Sequence, residues 1–313
     1  MQKKNPLISV TIATYNRAHL LPRAINSVLN QTYQNFELII VDDNSTDGTK
    51  EVVKSYTDRR IIYHRHEKNK GYLAARNTGW NFSQGEYNCQ LGDDDELLPN
   101  ALETVITTFN DLSSQEIKFL WFNIINAESE TLSGSGLVKE GYINYDDVLS
   151  GKIHGDFWQV VDMNLLGDYR FDEEWYGAPV GDGILWLKLL RKSKAYYVPV
   201  ALYKAYRKHG GERECSRRLN LKKHLVGIYL YEKKLLEENG RKLKHLYPVM
   251  YGRKLNDLGF YQILNGEMYI GRKTLLASFK FNFSLKHYFL FILSFIMNSN
   301  QIKTFYMKLF NMK

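Results

Sequence analysis

The sequence predicts an α/β protein with a mixed, mostly parallel sheet flanked by helices, followed by a basic α-helical C-terminal region. β-branched apolar segments alternate with segments of helical periodicity over the first hundred residues. Polar turns follow the first, second and fourth of these strands, and strand-like alternation ends near Asn220. Such a β-α-β-α order is typical of a parallel sheet covered by helices.

The individual elements follow from these patterns. The predicted strands of the first part lie at 7–12, 36–41, 61–64 and 87–91, and the predicted helices at 20–29, 46–56 and 72–82. Past residue 115 the sequence predicts strands at 117–125 and 158–162, a Gly/Ser-rich loop at 131–141, a helix at 183–192, closing strands at 198–199 and 202–207, and helices from residue 220 onward.

The charge distribution divides the chain into two predicted domains. The net charge is +8 over 313 residues. Residues 216–313 hold 18 basic and 5 acidic side chains, whereas residues 1–215 hold 24 basic and 29 acidic ones. We therefore expect a mildly acidic domain at 1–215 and a basic domain at 216–313. A basic domain of this kind indicates a polyanionic partner, either nucleic acid or an anionic membrane.

The N-terminus and the cysteines favour a cytoplasmic protein. The two cysteines, Cys89 and Cys215, match no metal-ligand spacing and no disulfide framework, as is usual in a reducing compartment. No apolar signal segment precedes the first strand, so we expect no secretion.

Asp93, Asp94 and Asp95 form the most informative motif, directly after the fourth predicted strand. Adjacent carboxylates repel one another, and the usual reason to crowd them is a divalent cation, Mg²⁺ or Mn²⁺, shared with a phosphate. The alternative is a solvated acidic turn before the helix that begins near Pro99. No Gly-x-Gly-x-x-Gly or Walker motif follows the first strand, which argues against a nicotinamide dehydrogenase or a P-loop ATPase.

Three polar turns, at 14–17, 42–45 and 93–95, all follow strands of the predicted sheet. Ligands of parallel α/β sheets bind beyond the carboxyl ends of the strands. The pattern therefore predicts that these turns meet at one binding site.

Four segments together resemble the family 2 glycosyltransferases, which have the GT-A (Rossmann-like) fold. They are residues 9–17, 36–49, 75–79 and 85–95, and the resemblance extends over about residues 5–210. Each motif is weak alone, but four in this order and spacing are specific for the family, though not for the substrate.

The resemblance implies a role for each matching residue of the nucleotide site. Thr14 and Tyr15 would cradle the base, with Tyr15 against its ring, and Asn16 and Arg17 would complete that turn. Asp43 would accept a hydrogen bond from the base imide, which favours uracil or thymine. The bland alternatives are edge packing for Tyr15 and helix capping for Asp43.

The resemblance also implies the ligands of the diphosphate and the metal. Arg76 would reach the base or the phosphates, unless it is a surface arginine. Asp93, Asp94 and Asp95 occupy the DxD-type position, with Asp95 and Asp93 as the leading metal ligands. His209 falls where many members carry a histidine that touches the metal or the diphosphate; its alternative is a surface residue.

Asp182 is the predicted general base, because family members carry an acidic pair at this point. Here the first member is Gly181, so the pattern is half met. Asp182 would take the proton from the acceptor hydroxyl as it attacks the anomeric carbon, with inversion. The alternative is a helix N-cap. Asp172, Glu173 and Glu174 rank lower as the base.

The C-terminal region holds an apolar run at 287–297, about half the length that a bilayer-spanning helix needs. Lysines flank it, which favours a helix lying in the interface of an anionic membrane. The alternatives are packing on the catalytic domain or at a dimer interface, so an oligomer stays open.

We therefore expect a metal-dependent, inverting glycosyltransferase at the inner face of the cell membrane. It would move a sugar from a UDP-sugar to a glycan or lipid-linked oligosaccharide in surface-glycan synthesis, and no nucleic-acid partner is expected. The alternatives are a nucleotidyltransferase, which usually shows a Gly-rich basic loop after strand one, and a non-catalytic nucleic-acid-binding protein.

Overall fold

The computed structural model describes residues 5–173, 182–207 and 221–309. Contacts divide these residues into two compact units. The first comprises residues 5–148, 152–173 and 185–207, and the second comprises 149–151, 182–184 and 221–309. The boundary predicted after residue 215 lies outside the described residues.

The strands are β1 (Ile8–Thr14), β2 (Phe36–Asp42), β3 (Ile61–Arg65), β4 (Tyr87–Gln90), β5 (Glu96–Leu97), β6 (Phe119–Asn126), β7 (Gly134–Ser135), β8 (Gly141–Ile143), β9 (His154–Gly155), β10 (Phe157–Asp162) and β11 (Ala195–Ala205). The helices of the same part of the chain are α1 (Leu21–Leu29), α2 (Thr49–Lys54), α3 (Tyr72–Phe82), α4 (Ala101–Asp111), α5 (Tyr145–Leu149), α6 (Met163–Leu166) and α7 (Asp182–Lys192), with a 3₁₀ turn at Ser113–Gln115. The C-terminal helices are α8 (Leu221–Leu246), α9 (Pro248–Leu264), α10 (Met268–Phe279), α11 (Leu285–Ile296) and α12 (Ser299–Leu309).

One large sheet organises the first unit. Its order is β3-β2-β1-β4-β10-β6-β11-β5, and β8 also pairs with β11. The β1, β2, β3 and β4 strands are mutually parallel, β6 and β11 are parallel, and β10 runs antiparallel to both its neighbours. This confirms the predicted mixed, mostly parallel sheet. β1 and β2 are buried along almost their whole length, as expected of strands covered on both faces.

Several element boundaries differ from the sequence prediction for identifiable reasons. The second helix begins at Thr49 rather than Thr46, because the Asp47 carboxylate accepts hydrogen bonds from the Thr49 amide and hydroxyl and holds the preceding residues in a turn. The two closing strands are one strand, β11, whose register shifts beyond Val198. Pro199 has no amide proton for the ladder, which is typical of such an irregularity.

The loop predicted at 131–141 also contains structure, because Gly134 and Ser135 pair with β9. A side chain at Gly134 would meet the ring of Phe157 within 2.4 Å, so only glycine allows this close approach.

The second unit is helical, as predicted, and has a core of its own. Its buried residues come from α8 to α12 and are Leu225, Phe260, Ile263, Leu264, Leu275, Leu290, Ile302 and Tyr306. α9 and α10 cross at Gly259 and Gly271, where a Cβ on Gly271 would lie 2.9 Å from the Gly259 carbonyl oxygen. Among the described residues, no helix combines the length and the apolar character needed to cross a bilayer.

Candidate active site

The three polar turns lie at the same edge of the sheet, because β1, β2 and β4 are adjacent and parallel. Thr14 and Asp42, the last residues of β1 and β2, are paired in register. The Asp43 amide donates to the Thr14 carbonyl at 2.9 Å, and the Leu91 amide donates to the Thr11 carbonyl at 3.0 Å. The predicted convergence of the turns is therefore what the topology produces.

Asn16 links the first polar turn, at 14–17, to the second, which begins at residue 42, through hydrogen bonds. It adopts a left-handed backbone conformation with φ of 55°, which asparagine tolerates better than most residues. Its amide donates to the Ser45 hydroxyl at 2.9 Å, and its side-chain oxygen accepts from the Thr46 amide at 2.7 Å. Next to it Tyr15 is 44% exposed, so its ring is available at the surface of this edge.

Arg17 links the first turn to the acidic triplet. Its guanidinium lies 3.2 Å from the Asp93 carboxylate and 2.5 Å from the Asp94 carboxylate. All three side chains are largely buried. A cation in this position offsets part of the repulsion among the carboxylates.

Burial disfavours the ionised form of two carboxyl groups of the triplet despite the nearby Arg17. Burial raises the pKa of Asp93 to about 7, even though Arg17 acts to lower it. Burial and the neighbouring Asp94 raise the pKa of Asp95 to about 6. A carboxylate whose ionised form is disfavoured in this way is stabilised by an added positive charge. The environment therefore suits a divalent cation.

Asp95 is held in place by the far end of β11. Its Oδ2 accepts a hydrogen bond from the Tyr203 hydroxyl at 2.5 Å, and its Oδ1 accepts from the Tyr206 amide at 2.8 Å. The Tyr203 hydroxyl in turn accepts from the Gly92 amide at 3.0 Å. Arg23 donates to the Asp94 carbonyl and stacks over the Tyr206 ring, 3.7 Å from its centroid.

The donor set fits Mg²⁺ or Mn²⁺, both of which prefer carboxylate oxygens and keep water or phosphate in their remaining positions. Within residues 5–173, 182–207 and 221–309, no three acidic, histidine or cysteine side chains converge as a complete cage. Asp93 and Asp95 stay the predicted ligands of such an ion. Bound there, a divalent cation would bring positive charge to the acidic edge of the sheet.

Asp43 belongs to a buried hydrogen-bond network. Its Oδ1 accepts from His66 Nδ1 at 2.7 Å and from the Lys70 amide at 2.8 Å, and its Oδ2 accepts from the Gly71 amide at 2.7 Å. The other ring nitrogen of His66 lies 3.0 Å from the Thr78 hydroxyl on α3. A carboxylate oxygen has two accepting positions, so within the described residues these contacts leave one at Oδ2.

Arg76 lies on α3, where it is buried. Its guanidinium stacks 4.1 Å from the Phe171 ring centroid and 5.2 Å from that of Tyr72. The next residue, Asn77, exchanges two hydrogen bonds with the Phe171 backbone and donates a third to Glu173. Glu173, a lower-ranked base candidate, is thus tied to α3.

Three predicted residues have no described side-chain geometry. α7 begins at Asp182, where the sequence predicts a helix start, but the described side chains of this segment begin at Gly183. His209 lies outside the described residues, as does Glu174. The roles of Asp182 and His209 stay predictions.

The sequence reasoning missed Tyr203, Arg23 and His66, which support the predicted residues. Tyr203 lies 108 positions from Asp95 and reaches it only because β11 returns beside β5. His66 directly follows β3 (Ile61–Arg65) and lies two residues beyond the strand predicted at 61–64. The sequence did hold a signal for His66, because the third predicted strand belongs to the same sheet and ends at the same edge.

The fold and the acidic edge define an α/β protein of the GT-A class. Among solved structures, S. aureus TarS (residues 1–349, in complex with UDP-GlcNAc) superimposes with a TM-score of 0.62, at 17% identity over 87% of this chain and 89% of that one. At this identity the likeness concerns the fold alone.

Residues 9–123 match the family model described as glycosyl transferase family 2. A Campylobacter jejuni relative, GalNAc(5)-diNAcBac-PP-undecaprenol β-1,3-glucosyltransferase, is 36% identical over 228 residues, 72% of this chain and 71% of that protein. The Escherichia coli enzyme UDP-Glc:α-D-GlcNAc-diphosphoundecaprenol β-1,3-glucosyltransferase WfgD is 31% identical over 59% of this chain and 70% of its own length.

The chain belongs to glycosyltransferase family 2 and is a glycosyltransferase. This confirms the predicted resemblance and decides between the alternatives in favour of a sugar-transferring enzyme. Enzymes of this family with the GT-A fold typically depend on a divalent metal.

Proposed function

We propose that this enzyme transfers glucose from UDP-glucose to a hydroxyl of a glycan carried on a polyprenyl diphosphate, forming a β-1,3 linkage in bacterial surface-glycan synthesis. Two of its relatives are named as β-1,3-glucosyltransferases with undecaprenyl-diphosphate-linked acceptors, and the name of one of them gives UDP-Glc as the donor. UDP-glucose is an α-glycoside, so a β product requires inversion at the anomeric carbon.

The observation that carries the proposal is the meeting of the base-binding turn and the acidic triplet at one sheet edge. Arg17 contacts Asp93 and Asp94 directly, while Thr14 contacts Asp43. A nucleoside diphosphate placed along this edge would have its base near Asp43 and its phosphates near the triplet. The one accepting position left at Asp43 Oδ2 suits the single N3–H donor of uracil.

The proposed chemistry assigns a task to each residue. Tyr15 covers the base, and Asp43 selects it through the imide proton. Asp93 and Asp95 hold the divalent cation, with Asp94 and Arg17 beside them, and Arg76 and His209 contribute positive charge or ligation near the diphosphate. Asp182 removes the proton from the acceptor hydroxyl while that oxygen attacks the face opposite the leaving group.

The proposed acceptor supports a location at the membrane surface, and we propose that this is the cytoplasmic face. A polyprenyl diphosphate is embedded in the bilayer, so an enzyme that uses it must work at the lipid surface. The strongly basic C-terminal region, with 18 basic against 5 acidic residues after position 215, supports peripheral contact with anionic lipid.

A transfer assay tests the proposal. Purified enzyme receives radiolabelled UDP-glucose and a synthetic polyprenyl diphosphate carrying N-acetylglucosamine, with Mn²⁺ or with EDTA. We expect a β-1,3-linked product that requires the metal, and a decrease of about 10²–10⁴-fold in Asp182→Asn. Asp111→Asn, an exposed carboxylate at the end of α4, is the matched control.

Other outcomes would contradict separate parts of the proposal. An α-linked product would exclude inversion. Full activity in EDTA would exclude the metal, and transfer from GDP-mannose but not from UDP-sugars would exclude the assigned base site.

A further inference from the structure

α11 presents an apolar stripe to solvent on the side opposite its buried face. Its inner face is formed by Leu290, Leu293 and Ser294, all at most 8% exposed. The outer residues recur at intervals of three and four, which places them on one side of a helix. They are Leu285 (77% exposed), Tyr288 (44%), Phe289 (49%), Ile292 (44%), Phe295 (60%) and Ile296 (75%).

Six neighbouring apolar and aromatic side chains on one helix face are unusual for a surface that meets only water. We call these six residues the α11 stripe. The composition of the stripe, with one tyrosine and two phenylalanines among aliphatic residues, is typical of a helix at a membrane interface.

Every charged side chain in the segment that carries the stripe is cationic. The last acidic residue of the chain is Glu267, and residues 268–313 contain seven Lys and Arg but no Asp or Glu. Arg272 stacks 4.2 Å from the Phe295 ring centroid at the edge of the stripe. Lys280 and Lys286, on either side of the start of α11, are exposed.

We propose that the α11 stripe lies in the headgroup region of an anionic bilayer, with α11 parallel to the membrane plane and the surrounding cations at the lipid phosphates. The charge selects this occupant over a second copy of the chain, because two copies meeting at the stripe would bring two wholly cationic segments together. A bilayer of anionic lipid complements that charge. The inference deepens the membrane contact of the proposed function by naming the element that makes it, and it rests on no step of the transfer chemistry.

The test is vesicle co-sedimentation of the full chain. One set of vesicles is phosphatidylcholine and the other adds phosphatidylglycerol. We expect the wild type to bind the anionic vesicles more tightly than the phosphatidylcholine vesicles. The double variant Ile292→Ser with Ile296→Ser should have a partition coefficient at least about tenfold lower on both sets of vesicles, since burial of apolar side chains drives insertion.

Matched variants separate hydrophobicity from charge and folding. Ile292→Glu with Ile296→Glu adds repulsion to lost burial and should bind less than the serine variant. Val138→Glu with Val226→Glu adds the same two negative charges at two exposed valines outside the stripe. This variant should bind phosphatidylcholine vesicles like the wild type, and its binding to anionic vesicles gives the effect of the added charge alone. Circular dichroism melts show that each variant is folded; the altered side chains are exposed, so little change is expected.

Three results would overturn the inference. The first is equal vesicle binding by the wild type and the stripe variants, and the second is no vesicle binding by the wild type. The third is a wild-type dimer in light scattering that Ile292→Glu with Ile296→Glu converts to a monomer without changing lipid binding. Transfer to a short-chain, water-soluble acceptor should persist in the stripe variants, so failure of the proposed chemistry is scored separately.

Discussion

His66→Leu tests whether the network around Asp43 prepares the base site. His66 is 2% exposed and joins Asp43 Oδ1 to the Thr78 hydroxyl on α3. An ionised carboxylate only accepts, so Nδ1 donates to Asp43. The other ring nitrogen, Nε2, lies within hydrogen-bond distance of the Thr78 hydroxyl. Leucine fills similar space but supplies neither hydrogen bond.

The expected cost follows from those two bonds. A hydrogen bond to a charged group contributes about 1.5–3 kcal/mol, and the half-buried Thr78 hydroxyl, left without His66, costs at most about 1–3 kcal/mol. Part of this is recovered if water reaches the site, so we expect the free energy of unfolding to fall by about 2–4 kcal/mol. Two backbone amides still hold Asp43, so UDP affinity should fall by only about threefold to tenfold.

Calorimetry with two ligands distinguishes positioning from general damage. N3-methyl-UDP lacks the imide proton, so the wild type should prefer UDP over it by about tenfold or more. That preference should shrink in His66→Leu and return in His66→Asn, whose side-chain amide can replace the Nδ1 donor.

His64→Gln is the matched control for this series. The His64 ring packs beside the rings of His66 and Phe82, but among the described residues it makes no hydrogen bond to Asp43. An unchanged preference for UDP in His66→Leu, despite lower stability, would refute the assignment of Asp43 to the base.

Two further predictions concern the triplet and the helical unit. The folded pKa values of Asp93 (about 7) and Asp95 (about 6) exceed the unfolded value of about 3.9, so the folded state binds more protons than the unfolded state. The unfolding free energy of the metal-free protein should therefore fall as pH rises from about 4 to 7. The affinity for Mn²⁺ should rise over the upper part of this pH range, because the ion competes with those protons. Calorimetry at several pH values measures both the stability and the affinity. An affinity that does not change with pH would contradict the assignment of Asp93 and Asp95 to the metal. Gly271→Ala should lower the unfolding free energy measured in urea by about 1–3 kcal/mol, since its Cβ would lie 2.6 Å from Ile263. The control Gly240→Ala, whose Cβ would have no neighbour nearer than 3.7 Å, should be neutral or stabilising. Equal effects of the two substitutions would contradict the close crossing of α9 and α10.

The sequence was sufficient for the parallel half of the sheet, because β1 and β2 are continuous apolar runs and each turn after them is polar. It also located the acidic triplet and the turn at Arg17, whose contact the structure reports. It was not sufficient for β11, where a proline interrupts the pattern and two apparent strands are one.

The supporting residues of the site depend on long-range pairing, which local patterns do not encode. Tyr203 reaches Asp95 because β5 pairs antiparallel with β11. His66 reaches Asp43 because β3 lies beside β2. Neither tyrosine nor histidine carries a recognisable motif at these positions, so only the topology identifies them.

Binding of UDP in the presence of Mn²⁺ tests the central claim most directly, with calorimetry on the wild type, on Asp95→Asn and on the Asp111→Asn control. The account predicts UDP binding that requires Mn²⁺, that weakens at least about tenfold in Asp95→Asn, and that is unchanged in the control. UDP binding of equal strength with Mn²⁺, with EDTA and in Asp95→Asn would contradict the assignment of the triplet to the metal and the diphosphate.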